Sequence, residues 1–215
     1  LTALHIGSKD DEGLKRTVHT AVIICLAGGI LITVFGILFS HNILALMNTK
    51  DELIDGAVLY LRIYLLGMPA LGLYNFGNAV LSAAGDTKRP LYYLAFAGVV
   101  NVILNLFFVI VCHLGVAGVA LASMISQFIS AFLILRALLT GKEKYCLRLS
   151  EIRFDKRKAV GILQIGIPSA FQYSLFAFAN LFVQSSVNSF DHVLVEGNYA
   201  AVKANGDYYD MKAPM

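Results

Sequence analysis

The chain has 215 residues, of which 58% are hydrophobic and only 14% charged; its formal net charge is +3 and its mean hydropathy +0.71. A soluble domain carries about 25% charged residues, so this composition excludes a water-exposed fold with polar helix faces, and it excludes disorder, which needs low hydrophobicity and high net charge. The small positive charge excludes a basic nucleic-acid-binding stripe, and Cys25, Cys112 and Cys146 fit neither a disulfide framework nor metal-ligand spacing.

Leu1 to Arg16 is polar and charged, which is not a signal-peptide pattern. A chain that opens on Leu1 and closes on Lys212-Ala213-Pro214-Met215 reads as part of a longer protein. A membrane-crossing helix needs about 20 mainly apolar residues. The first such stretch is Ala21 to Phe39, inside a charge-free run from Thr17 to Thr49, and predicts a span over about 17–46. The second covers about 56–84 with one internal charge, Arg62, which is expected to snorkel to the outer interface. Pro90 to Leu135 is free of Asp, Glu, Lys and Arg but too long for one span. It breaks at Cys112-His113-Leu114-Gly115, giving a hairpin of spans at about 90–112 and 115–139. The fifth is Ala159 to Phe190, a helix of about 159–188, with the beginning of another after it. These segments are apolar all round, as lipid-immersed helices are, and no alternating strands suggest a barrel. The fold class predicted is an all-α, polytopic transmembrane helical bundle.

Lys and Arg place the loops. Lys9, Lys15 and Arg16 precede span one, Lys88 and Arg89 follow span two, and a cluster from Arg136 to Lys158 follows span four; the alternate loops are poor in them. The N-terminus, residues 85–89 and residues 141–158 are therefore expected to be cytoplasmic. The last of these is the one long polar interval. It reads as a linker between residues 1–140 and 159–215, with charges suited to anionic lipid headgroups.

Polar residues inside spans are costly unless partnered, so each is a site or a piece of helix glue. Asn75 and Asn78 share a face of span two, and Asn101 and Asn105 a face of span three. Gln127 lies in span four, and Gln172 and Gln184 in span five. Pro168, four residues before Gln172, either starts its helix or loosens the backbone ladder within it. Lys203, in the polar stretch after span five, faces a wet cavity or an acid such as Asp207 if it is membrane-embedded; otherwise that stretch is a frayed end. Gly67, Gly115, Gly118 and Ala122 are read as packing positions. His19, His41, His113 and His192 fall near span ends and are read as interfacial. No nucleophile–base spacing, metal cluster or phosphate loop is present in the sequence, so catalytic residues, metal and cofactor are all expected to be none.

Several motifs together resemble the MATE (multidrug and toxic compound extrusion) family. Leu59 to Tyr64, Gly67-Met68-Pro69, Tyr74-Asn75 and Gly85-Asp86-Thr87-Lys88-Arg89-Pro90 resemble its fourth helix and the loop after it. Asn101 to Asn105 resembles the fifth, Gly115 to Ala122 with Ser126-Gln127 the sixth, and Ile165-Gly166-Ile167-Pro168 with Gln172 the start of the seventh. Gly197-Asn198, Ala200-Ala201 and Lys203 are similar to the start of the eighth. The resemblance implies a two-lobed transporter of about twelve helices, of which this chain holds the third to seventh and the beginning of the eighth. It implies efflux of small organic, often cationic, compounds across the cytoplasmic membrane in exchange for H+ or Na+, with the partner helices outside this chain. In the family the position of Asn105 often carries an acid that helps bind the coupling ion; here it is an amide, so the coupling carboxylate is expected outside these residues. A lipid-linked saccharide flippase of the same superfamily and a non-transporting membrane scaffold are the alternative readings.

Overall fold

A computed structural model describes residues 2–46, 51–141, 145–148 and 152–187; for 51–52 and 181–187 it describes the backbone alone. Every element among them is a helix: α1 (Thr2–Gly7), α2 (Asp11–Leu46), α3 (Asp51–Leu65), α4 (Met68–Ala83), α5 (Lys88–Leu106), α6 (Gly115–Thr140) and α7 (Lys156–Val187). The chain divides into two compact units, Leu1–Ile162 and Leu163–Met215.

In the first unit, α6 packs against α3, α4 and α5, and α2 packs against α3 and α4. The core gathers Leu14 and Val18 of α2, Tyr74, Phe76, Val80 and Leu81 of α4, and Ile134 and Leu138 of α6. Close approach depends on small residues. A Cβ on Gly77 would come within 2.8 Å of Ile134, and one on Gly118 within 2.9 Å of Phe108. The outer faces stay apolar: Phe35, Val102, Ile110 and Phe132 are all exposed, as hydrocarbon-facing side chains require.

α2 starts earlier than its apolar run. Asp10 Oδ1 accepts the Gly13 N–H at 2.9 Å and caps the helix, and Asp11 and Glu12 complement the positive end of its dipole. The helix therefore extends as a polar turn beyond Thr17. The hairpin between α5 and α6 is where its sequence placed it. α5 ends in a π-helical turn, Phe107–Val111, and the chain reverses through left-handed His113 (φ 53°) and Gly115 (φ 53°).

The second span is not one continuous helix, and this corrects the reading of 56–84. α3 and α4 meet at a 45° bend over Leu66–Gly67. Pro69, in the first turn of α4, has no N–H to give the carbonyl four residues back, which is that of Leu65. Thr33 of α2 replaces the missing donor: its Oγ1 lies 2.7 Å from Leu65 O, and 2.9 Å from Gly29 O on its own helix. Gly29 brings α2 so close that a Cβ there would stand 2.6 Å from Pro69 Cα. Gly67 lets α6 pack close to the bend, because an added Cβ would overlap Gln127 Oε1.

The polar interval after α6 folds back onto the start of α2. Leu147 is buried, and its N–H bonds Leu138 O at 3.0 Å. The Arg148 N–H donates to Nε2 of buried His19 (3.3 Å), and the Asp155 N–H to Thr20 Oγ1 (3.2 Å). α7 then begins at Lys156, ahead of the apolar run, with Asp155 capping it. In the second unit, residues 163–180 are exposed all round. Pro168 sits inside α7, so of its two readings the structure takes the one in which it interrupts the ladder rather than starting the helix.

Candidate functional site

Two neighbouring helices bring four polar side chains together within the apolar bundle. Asn101 and Asn105 are one turn apart on α5, and Asn105 Nδ2 donates to Asn101 Oδ1 at 3.0 Å. Asn101 Nδ2 in turn reaches Ser126 Oγ of α6 at 3.3 Å and, at the outer limit of a hydrogen bond, Ser123 Oγ at 3.5 Å. Ser126 is free to accept because its own hydroxyl proton goes back to Ser123 O at 2.9 Å. All four side chains are half-buried.

The network is open at one end. Asn105 Oδ1 is buried and has no hydrogen-bond partner. Leaving such an acceptor unsatisfied costs about 1–3 kcal/mol, a cost that a hydrogen-bond donor or a cation at this oxygen would offset. Amides and hydroxyls offer lone pairs and protons to share but do not titrate near neutral pH. The cluster can coordinate or hydrogen-bond; it cannot carry a proton across. Among the described residues no group of His, Cys, Asp and Glu is placed to hold a metal ion.

The other expected residues do not join this cluster. Gln127, next in sequence to Ser126, faces the α3–α4 bend instead. Its Oε1 is buried there without a partner, against Gly67. Asn78 Oδ1 accepts from Ser82 Oγ (3.2 Å) on its own helix, and Asn75 is exposed. Arg62 is exposed, and its Nε donates to buried Ser40 Oγ at 2.9 Å, which ties α3 to α2. Gln172 is exposed on α7. The Gln184 side chain, Lys203 and the beginning of the next helix lie outside the described residues.

Sequence reading missed Ser123 as a partner of Asn101, and Thr33 as a partner of the break. Ser123 and Ser126 stand three apart and so share a helix face, which is a usable signal. Thr33 gives none, since its partner is 32 residues away.

A second polar assembly lies at the end of the bundle that holds the start of α2. Lys158 Nζ donates to His5 Nε2 at 2.8 Å, and His5 Nδ1 donates to Asp10 Oδ2 at 3.0 Å. Arg16 pairs with Glu12 and lies 3.7 Å from Asp155. The Gly13 N–H, foremost, together with the positive charge of Lys158 and the hydrogen bond from His5, holds the Asp10 carboxyl below its ordinary pKa of 3.8. The N–H groups of Lys158 and Arg157, with Arg16 nearby, do the same for Asp155.

The MatE family model matches residues 1–107. The Probable multidrug resistance protein YpnP of Bacillus subtilis is 32% identical over 190 residues, which is 87% of this chain and 42% of that protein. The Probable multidrug resistance protein YoeA of the same organism is 30% identical over 216 residues, 96% of this chain and 46% of that protein. Among solved structures, the inward-facing conformation of a multidrug resistance MATE family transporter superposes with a TM-score of 0.78 at 25% identity, over 86% of this chain and 42% of its own. A MATE protein in a bent conformation does so with a TM-score of 0.84 at 24% identity, over 94% and 46%. The chain spans about half the length of the relatives it matches. On these likenesses the chain belongs to the MATE family of membrane transporters.

Proposed function

We propose that these residues form most of one lobe and the start of the other in a secondary active exporter of small organic, often cationic, compounds. Residues 1–140 supply helices of the first lobe, 141–158 the connection between lobes, and 159–215 the opening of the second. The exporter works by alternating access across the cytoplasmic membrane, driven by inward movement of H+ or Na+. The N-terminus and the 141–158 segment face the cytoplasm, as the distribution of Lys and Arg favours.

The observation that carries this reading is the Asn101–Asn105–Ser123–Ser126 cluster, with its buried, unpartnered oxygen at membrane depth. An open acceptor beside three further polar side chains suits a ligand or ion pathway. The relatives named as multidrug resistance proteins support the substrate class. Because the cluster is neutral, it contributes ligands while the coupling carboxylate comes from helices outside these residues. An ion shifts the inward–outward equilibrium only if it binds the two states differently, and a buried acid is the simplest source of that difference.

The test uses the complete protein in sealed vesicles with a fluorescent organic cation. Transport is expected to follow an imposed proton or sodium gradient and to fall at least tenfold in N101L. Transport indifferent to both gradients would overturn antiport.

A further inference from the structure

We propose that the cleft between the first turns of α2 and residues 153–156 binds the phosphate of an anionic phospholipid headgroup. The cleft has a volume of about 570 Å3, within the roughly 300–1,000 Å3 of small-ligand sites. Four cationic side chains line it, Lys15, Arg16, Arg153 and Lys156, against two carboxylates, Glu12 and Asp155. Both carboxylates are engaged by Arg16, and Asp155 also accepts two N–H groups at the start of α7. With Arg16 set against both acids, Arg153 and Lys156 bring further positive charge to the lining.

Depth identifies the occupant as a lipid rather than a dissolved anion. α2 becomes charge-free at Thr17 and the α7 sequence at Ala159, so the cleft stands where hydrocarbon gives way to headgroups. Phe154, also in the lining, is 56% exposed. An exposed aromatic ring beside cations at that level suits acyl-chain carbons next to a phosphate. The walls are fixed, because the Asp155 N–H bonds Thr20 and the Arg148 N–H bonds His19. This inference does not depend on the transport reading, and its readout is binding rather than transport.

The experiment places the whole chain in phosphatidylcholine nanodiscs with trace spin-labelled phosphatidylglycerol or phosphatidylcholine and compares the immobilised fractions. Each basic residue near an anionic surface contributes about 1 kcal/mol, roughly fivefold. R153Q/K156Q is therefore expected to lower the preference for phosphatidylglycerol by more than about tenfold, with unchanged helical circular dichroism. K88Q/R89Q, a basic pair at another span end where Arg89 is already paired with Asp86 at 2.9 Å and neither residue lines the cleft, is expected to lower it much less, and F154A to weaken lipid retention. Three outcomes overturn the site: no preference in the parent chain, no loss in R153Q/K156Q, or equal loss in K88Q/R89Q. Full displacement by millimolar inorganic phosphate, with no effect of F154A, overturns the lipid and leaves a soluble anion.

Discussion

Asn105 stands on α5 one turn from Asn101 as an amide and not an acid. The amide leaves the α5–α6 cluster uncharged, with Nδ2 committed to Asn101 and Oδ1 unpartnered. Asn105→Asp introduces a carboxyl in a place where desolvation disfavours its ionised form. The sign of the stability effect follows. Ionisation is penalised in the folded state only, so the variant is expected to lose stability as pH rises past the ordinary carboxylate range and regain it on acidification. Melting temperature in detergent between pH 4 and about 8 checks this; N105D should slope downward where the parent chain stays flat. Asn75→Leu, at an exposed position outside the cluster, is expected to change neither stability nor transport by more than a small factor.

At the scale of elements, the α3–α4 break trades one backbone bond for a side-chain bond from another helix. Thr33→Val removes that donor while Pro69 still withholds its own, leaving Leu65 O unpartnered. The expected cost is about 1–3 kcal/mol. Pro69→Ala supplies an N–H four residues after Leu65 and lets the span straighten. The double variant T33V/P69A is thus expected to be less destabilised than the sum of the singles, and denaturant titration of the four proteins measures the coupling. Gly67→Ala is expected to destabilise through the overlap with Gln127, with relief in G67A/Q127A. The folded-back interval behaves as a separate element. Asp10 and Asp155 both have lowered pKa values, so their contribution is fully present above the ordinary value of 3.8 and is lost as pH falls below it. Protease protection of residues 145–155 is expected to hold from neutral pH down to about 5 and to fail in stronger acid.

The whole molecule is organised for a solvent that is not water. Phe35 and Phe132 are 58% and 65% exposed, whereas Tyr74 is 5% exposed; a soluble protein of this size could not show so much contiguous apolar surface. The chain contains no tryptophan, which makes single introduced tryptophans clean reporters. In bilayers with brominated acyl chains, Phe35→Trp is expected to be strongly quenched and Tyr74→Trp weakly. Equal quenching at the two positions would contradict the arrangement of the bundle. The apolar surface of α7, exposed all round over 163–180, has the same requirement for apolar surroundings.

Hydropathy alone determined that these residues form membrane helices, where the α5–α6 hairpin turns and which segment is polar. Transfer into hydrocarbon is summed residue by residue along a span, so the sum can be read without knowing any neighbour. The pairing of Asn101 with Asn105 was legible for a similar reason, since a spacing of four fixes a shared helix face. Tertiary structure decided the rest. It sent Gln127 to the bend and not to the asparagines, matched Thr33 to Leu65, joined Ser123 and Ser126 to Asn101, and bound Arg148 to His19 and Asp155 to Thr20. Each of these contacts joins residues more than twenty positions apart. A hydrogen bond acts over about 3 Å, so such partners are set by how the helices rotate and pack, which no local pattern of residues records.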